Sequence, residues 1–343
     1  MDMVATRPEP QGLHRELSLG LPRGRISPVA RCMALVADEL DLAEGLLNSQ
    51  LREGEATVSA IGGYLAVAGG KRIRPLLTAL GARAAGFGGP LAALMCAGEV
   101  LHLGSLLHDD VVDEAEERRG RPAAQRVFGN AGVILTGDVC LARAVRLAAE
   151  HGGLRAVTEL CHVVVEMSEG EVIQLRHRGD LDLPLPRYME IIERKSAALI
   201  SWCAAAGAWA SGDERAADGL RRFGRGVGIA FQITDDVLDY VGDPAVTGKA
   251  VGRDLAERKL TLPLLCALGR DPGLRAALSA TAGDERATAA LLLRVVESGG
   301  PAEALRAARA QVEGAVGALS GLPPGPHREA LEELGWHLVE RVR

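Results

Sequence analysis

Aromatic side chains are scarce, only 3% of the 343 residues, and few stretches alternate apolar with polar residues as a half-buried strand does. That scarcity argues against a sheet-built protein and favours an all-α one. Basic residues hold no excess: 39 Lys and Arg face 45 Asp and Glu, a net charge of −6, which argues against a nucleic-acid-binding surface. Paired cysteines are missing too. Cys32, Cys96, Cys140, Cys161, Cys203 and Cys266 stand far apart with no CxxC pair and no metal-ligand spacing, and read as buried thiols of a reducing cytoplasm. The histidines offer no paired spacing, so no zinc is expected. Nor is there a long apolar run: Ser196 to Ala210, with Trp202 and Trp209, falls short of the roughly 20 residues that a spanning helix needs and reads as a core helix.

What remains is a succession of helical patterns. Helices are expected at about 30–52, 55–68, 73–85, 90–113, 123–129, 131–150, 153–175, 186–211, 214–240, 258–269, 272–280, 284–298, 301–319 and 325–342. Gly and Pro punctuate them, as at Gly152-Gly153 and Pro323 to Pro326, and none of the breaks resembles an interdomain linker. Residues 29 to 343 are therefore expected to form one domain. Residues 1 to 28, rich in Pro, Gly and charge and without the apolar run of a signal peptide, are expected to be a disordered tail.

One short pattern recurs. Asp109-Asp110-Val111-Val112-Asp113 and Asp235-Asp236-Val237-Leu238-Asp239 share the form DDxxD, each closing a long apolar segment. On a helix the first and last carboxylates of each face the same way and repel. A solvated acidic face is the ordinary explanation of one such motif, but carboxylates at the ends of buried helices need a compensating positive charge. A magnesium ion suits them, since it takes one or two carboxylates, keeps several waters and shares phosphate oxygens. Cationic residues surround both motifs. Gly69-Gly70-Lys71-Arg72-Ile73-Arg74-Pro75 sets three positive charges at a helix start, where backbone N–H groups also favour an anion, and Arg118, Arg119, Lys249 and Lys259 follow the motifs. His102 lies two turns before Asp109 on the same face, whereas His108 is turned away.

Taken together, GGKRIRP at 69–75, HDDVVDEAEERRG at 108–120, LTGD at 135–138, SEGEVIQL at 168–175, ERKSAALI at 193–200, FQITDDVLDY at 231–240 and GKAVGRDLAERKLTLP at 248–263 resemble the trans-polyprenyl diphosphate synthases. The resemblance implies antiparallel helices around a central cavity, a homodimer, and condensation of isopentenyl diphosphate with an allylic diphosphate in the presence of Mg2+. It implies magnesium held by Asp109, Asp110 and Asp113 and by Asp235, Asp236 and Asp239. Lys71, Arg74, His102 and Arg119 match positions that receive isopentenyl diphosphate. Arg118, Lys195, Ser196, Gln232, Lys249 and Lys259 match those that hold the allylic partner, Lys195 and Lys249 counting also as catalytic. Ser196 departs from the usual threonine but keeps the hydroxyl.

Metal and basic residues would stabilise charge on the leaving diphosphate while apolar walls keep water from the carbocation. No side-chain nucleophile is required. Product length is read from the helix leading to Asp109, where Ala97, Leu101, Gly104 and Ser105 are small or aliphatic and would leave a tunnel open. That favours heptaprenyl to nonaprenyl products over geranylgeranyl or farnesyl diphosphate. A class I terpene cyclase is disfavoured because its second motif usually mixes Asn, Ser or Thr with Glu. A non-catalytic partner subunit has no reason to retain six aspartates.

Overall fold

The computed structural model describes residues 27–67, 70–118, 120–243, 251–280 and 285–341. It is built almost wholly of helices, in the order α1 (Pro28–Ala34), α2 (Ala37–Arg52), α3 (Ala56–Val67), α4 (Ile73–Ala84) and α5 (Ala92–Val112). After a two-residue hairpin pairing Glu117–Arg118 with Arg121–Pro122 come α6 (Ala124–Phe128), α7 (Asn130–Arg176) and α8 (Leu185–Ile192). A π-turn, Glu193–Ala197, leads into α9 (Ala198–Ser211), followed by α10 (Glu214–Val241), α11 (Arg253–Ala256) and α12 (Leu262–Arg270). Then come α13 (Leu274–Ala280), α14 (Glu285–Glu297), α15 (Gly300–Ala318) and α16 (Pro326–Glu340).

Three expected boundaries shift for local reasons. The helix expected at 30–52 is interrupted at Leu35 and Val36, and the one expected at 186–211 is broken by the π-turn. The one expected at 258–269 starts only at Leu262, because Pro263 belongs in a first turn, where its missing N–H costs nothing. The break expected at Gly152-Gly153 is a kink inside α7, with Gly153 at φ +72.

One cluster of buried apolar side chains joins α2, α4, α5, α7 and α9, and a second joins α8, the C-terminal half of α10, α12 and α15. Each fully buried Leu, Val or Phe is worth roughly 1.5–3 kcal/mol relative to exposure. The stretch weighed as a membrane candidate lies inside the first cluster: Trp202 is buried and its Nε1 donates to Ala156 O at 2.9 Å. Among the described residues no helix is long and apolar enough to cross a membrane. Both DDxxD motifs sit where an apolar helix runs out, at the end of α5 and in the last turns of α10.

Candidate active site

At the end of α5, buried Val100, Leu101, Leu103 and Leu107 anchor the helix, and the first motif follows directly. Asp110 turns inward, and its Oδ1 accepts from Arg118 Nε at 2.5 Å. The hairpin makes this contact possible by folding Arg118 back over the helix end. Gln125 Nε2 secures the exit by donating to Asp110 O (2.8 Å) and Ala115 O (2.6 Å). Asp113 accepts from Arg178 Nη2 at 2.6 Å. Asp109 is half-buried, and among the described residues nothing donates a hydrogen bond to its carboxylate.

The second motif repeats the arrangement. Asp236 is only 2% exposed; its Oδ2 accepts from Tyr188 Oη at 2.7 Å and its Oδ1 from Gln232 Nε2 at 2.9 Å. Gln232 Oε1 in turn accepts the Ser196 hydroxyl at 2.7 Å. Asp239 accepts the backbone N–H groups of Arg253 (3.2 Å) and Asp254 (2.9 Å). Asp235 pairs with Arg341 at 2.6 Å, whose guanidinium lies over the Phe231 ring. Lys259 Nζ stands 3.2 Å from Asp254 Oδ1 and 4.0 Å from Asp236 Oδ1.

Lys195 and Ser196 reach the site on the π-turn, a helical irregularity that recurs at functional positions. Two glycines clamp it. A Cβ at Gly170 of α7 would come within 2.9 Å of Arg194 Cβ, and one at Gly228 of α10 within 2.6 Å of Ala197 Cα. Lys195 forms an ion pair with Glu171, the neighbour of Gly170.

The two motifs share one electrostatic space. The charge of Lys195 acts on Asp109, while the next residue, Ser196, belongs to the Asp236 network. Arg253 is felt by Asp110 and feels Asp113, while its backbone N–H binds Asp239. Burial pushes the Asp109 carboxyl up to about 6 against the pull of Lys195. Burial likewise raises Asp236 and Asp239 to about 6, opposed by Lys259 at the first and reinforced by the Asp254 charge at the second. Such carboxylates are short of positive charge.

Among the described residues no three His, Cys, Asp or Glu side chains form a ready-made metal cage. A hard cation that keeps its waters and shares phosphate oxygens does not need one. The donor set fits such an ion: oxygen ligands only, with Asp109 unpartnered among the described residues and Asp113, Asp235 and Asp239 retaining exposure. The six aspartates differ in their surroundings. Asp110 and Asp236 are the buried members, each tied to side-chain donors, because the second position of DDxxD points a helix's inner face.

A family model described as Polyprenyl synthetase matches residues 55–298. The chain belongs to the polyprenyl synthetase family. It is 37% identical over 318 residues to the octaprenyl diphosphate synthase of Escherichia coli K12, an alignment covering 90% of this chain and 98% of that one. Among solved structures, a Caulobacter crescentus polyprenyl synthase complexed with calcium and isoprenyl diphosphate matches with a TM-score of 0.88 and 36% identity. That match covers 94% of this chain and all of the other. A decaprenyl diphosphate synthase from Rhodobacter capsulatus matches with a TM-score of 0.85 and 35% identity, over 92% of this chain and all of that one.

This synthetase is thus a prenyltransferase, and several expected residues can be placed within it. Of the three cations at the start of α4, Arg72 is structural: it is buried, donating to Glu44 (2.7 and 2.8 Å) and Glu99 (3.0 Å), and its φ of +49 turns the chain into the helix. Arg74 Nε is buried without a hydrogen-bond partner among the described residues, a donor still open to an acceptor. Lys71 is exposed. His102 is half-buried, and its carbonyl accepts the Ser105 hydroxyl at 2.8 Å. His108 faces α7, with Nε2 3.1 Å from Ile134 O and 3.3 Å from Asp138 Oδ1, in keeping with its orientation away from the motif. Arg119 and Lys249 lie outside the described residues, as do residues 1–26 of the expected tail.

Gly104 departs from the open-tunnel expectation. A Cβ there would meet Cys140 Cβ at 2.8 Å and Gly137 O at 3.0 Å, so its smallness serves the close approach of α5 to α7. Ala97 and Leu101 are buried, and Ser105 is half-buried. The polar shell of this synthetase also includes residues without a role expected from the sequence: Gln125, Glu171, Arg178, Tyr188, Arg253 and Arg341. Glu171 and Arg253 lay within matched motifs, whereas nothing local singled out Arg178 or Arg341, which arrive from 65 and 106 residues away.

Proposed function

We propose that this synthetase condenses isopentenyl diphosphate with an allylic diphosphate, repeatedly, to give a heptaprenyl to nonaprenyl diphosphate, and that Mg2+ is its cofactor. The observation that carries the reading is the convergence of two DDxxD motifs with Lys195, Lys259 and Arg253 in one electrostatic space. The octaprenyl and decaprenyl activities named for relatives of similar length support the long product.

Bound Mg2+ supplies Lewis-acid stabilisation of charge on a departing diphosphate. Asp109, Asp110 and Asp113 and Asp235, Asp236 and Asp239 are the residues we assign to hold it, Asp110 and Asp236 from the buried side of the site. Arg74, Lys71, His102 and Arg119 would receive isopentenyl diphosphate. Arg118, Lys195, Ser196, Gln232, Lys249 and Lys259 would hold the allylic diphosphate, Lys195 and Lys249 counting also as catalytic. Arg118 has to exchange part of its contact with Asp110 for phosphate oxygens, as a guanidinium with five donors can.

We further read residues 29–343 as one catalytic unit working as a homodimer in the cytoplasm. Beyond the Gly153 kink, α7 carries a heptad-spaced exposed stripe, Leu154, Cys161, Val165, Val172 and Leu175, suited to a second copy of itself. The cytoplasmic reading rests on six unpaired thiols.

The test is incubation of purified protein with Mg2+, labelled isopentenyl diphosphate and, separately, dimethylallyl, geranyl, farnesyl and geranylgeranyl diphosphates, followed by sizing of the dephosphorylated products. Metal-dependent heptaprenyl to nonaprenyl products, abolished by Asp109→Ala, are expected. A stop at farnesyl or geranylgeranyl would overturn the chain length, and absence of elongation with every primer would overturn the activity.

A further inference from the structure

We propose that Tyr188 is a positioning residue for prenyl transfer: its buried hydroxyl orients the Asp236 carboxylate and, through Gln232, the Ser196 hydroxyl, so that the second acidic motif and the π-turn hold one another in place. The inference rests on the reading of that motif as a divalent-cation site. Tyr188 lies on α8, is 3% exposed, and its Oη stands 2.7 Å from Asp236 Oδ2. An ionised carboxylate can only accept, so the phenolic proton points at Asp236. With the ring buried and Asp236 its one hydrogen-bond partner among the described residues, the hydroxyl is held toward that carboxylate.

The rest of the chain is then directional. Gln232 must turn its NH2 toward Asp236 at 2.9 Å, which leaves its carbonyl to accept the Ser196 proton at 2.7 Å. Take away the Tyr188 oxygen and Asp236 keeps Gln232 on one carboxylate oxygen, while the nearest cation among the described residues, Lys259, is 4.0 Å away. Tyr240 provides the contrast. It is equally buried, but its hydroxyl meets Thr261 Oγ1 at 3.3 Å and no aspartate.

The experiment compares wild type, Tyr188→Phe and Tyr240→Phe. Calorimetric titration of Mg2+ into protein holding inorganic diphosphate is read beside the Mg2+ concentration for half-maximal turnover. Loss of a partner that orients a metal ligand typically weakens metal affinity about 10- to 100-fold, so Tyr188→Phe should raise both values by about tenfold or more while the KM for isopentenyl diphosphate moves less than about twofold. Tyr240→Phe should change neither. Equal Mg2+ affinity in wild type and Tyr188→Phe overturns the role of Tyr188 alone. A wild type that binds no Mg2+ with diphosphate overturns the underlying cation site as well. Should Tyr188→Phe fail to fold, 3-fluorotyrosine at position 188 keeps ring and hydroxyl. Its fluorine resonance should shift when Mg2+ and diphosphate are added, and an unmoved resonance overturns the proposal.

Discussion

Gly228→Ala sets two well-characterised effects against each other. Glycine inside a helix costs about 1 kcal/mol relative to alanine, so propensity alone makes this substitution stabilising. Packing says the opposite. The new Cβ would lie 2.6 Å from Ala197 Cα and 2.8 Å from Ala197 Cβ, and because the nearest atom belongs to the backbone, no side-chain rotation relieves the clash. Overpacking of this kind costs about 1–3 kcal/mol, and a backbone collision belongs at the upper end. The net expectation is a loss of about 2 kcal/mol. For 343 residues at about 2.1 cal/mol/K each, that lowers the melting temperature by about 3 °C. Catalysis should suffer more. Ala197 ends the π-turn that carries Lys195 and Ser196, and a displacement near 1 Å in a positioning group costs up to about 100-fold in turnover. The assays are thermal unfolding and prenyl-transfer kinetics, with Gly45→Ala as control. Gly45 lies in α2 with nothing near its Cβ position, so its replacement should stabilise without touching turnover. A Gly228→Ala protein that melts higher than wild type with unchanged turnover would refute the clamped π-turn.

Two further predictions concern charge. Arg72→Ala leaves Glu99, buried beside it, without its cation, and should cost about 3–5 kcal/mol; Arg72→Met combined with Glu99→Leu should recover most of this, as read by denaturant unfolding. Asp109, Asp236 and Asp239 are held up at about 6, against an ordinary value of about 4. Each native carboxyl binds its proton more tightly than the unfolded chain does. Metal-free protein should therefore lose stability from this source as the pH rises from about 4 to about 6, and stay at the lower level above that. Mg2+ with inorganic diphosphate should reverse the loss, so the gain in melting temperature on adding them should be larger at neutral pH than near pH 5. An equal gain at both would count against these three carboxyls.

The residues themselves determined the helical class, the position of both acidic motifs at the ends of apolar helices, and the reading of Ser196 to Ala210 as core. All three follow from periodicity and from the cost of burying charge, which act along the chain and need no knowledge of how helices meet. Tertiary structure alone decided which charges serve the site and which serve the fold. Lys71, Arg72 and Arg74 stand within four residues of one another, yet Arg72 is consumed by Glu44 and Glu99 because α2 and α5 pass beside it. Gly104 looked like open space in the sequence and is instead a point of contact with α7. Tyr188 reads locally as one more apolar position on α8, and only the packing of that helix beneath α10 brings its hydroxyl to Asp236. A side chain's periodicity tells which face of its helix it occupies; what stands opposite that face depends on residues tens to hundreds of positions away.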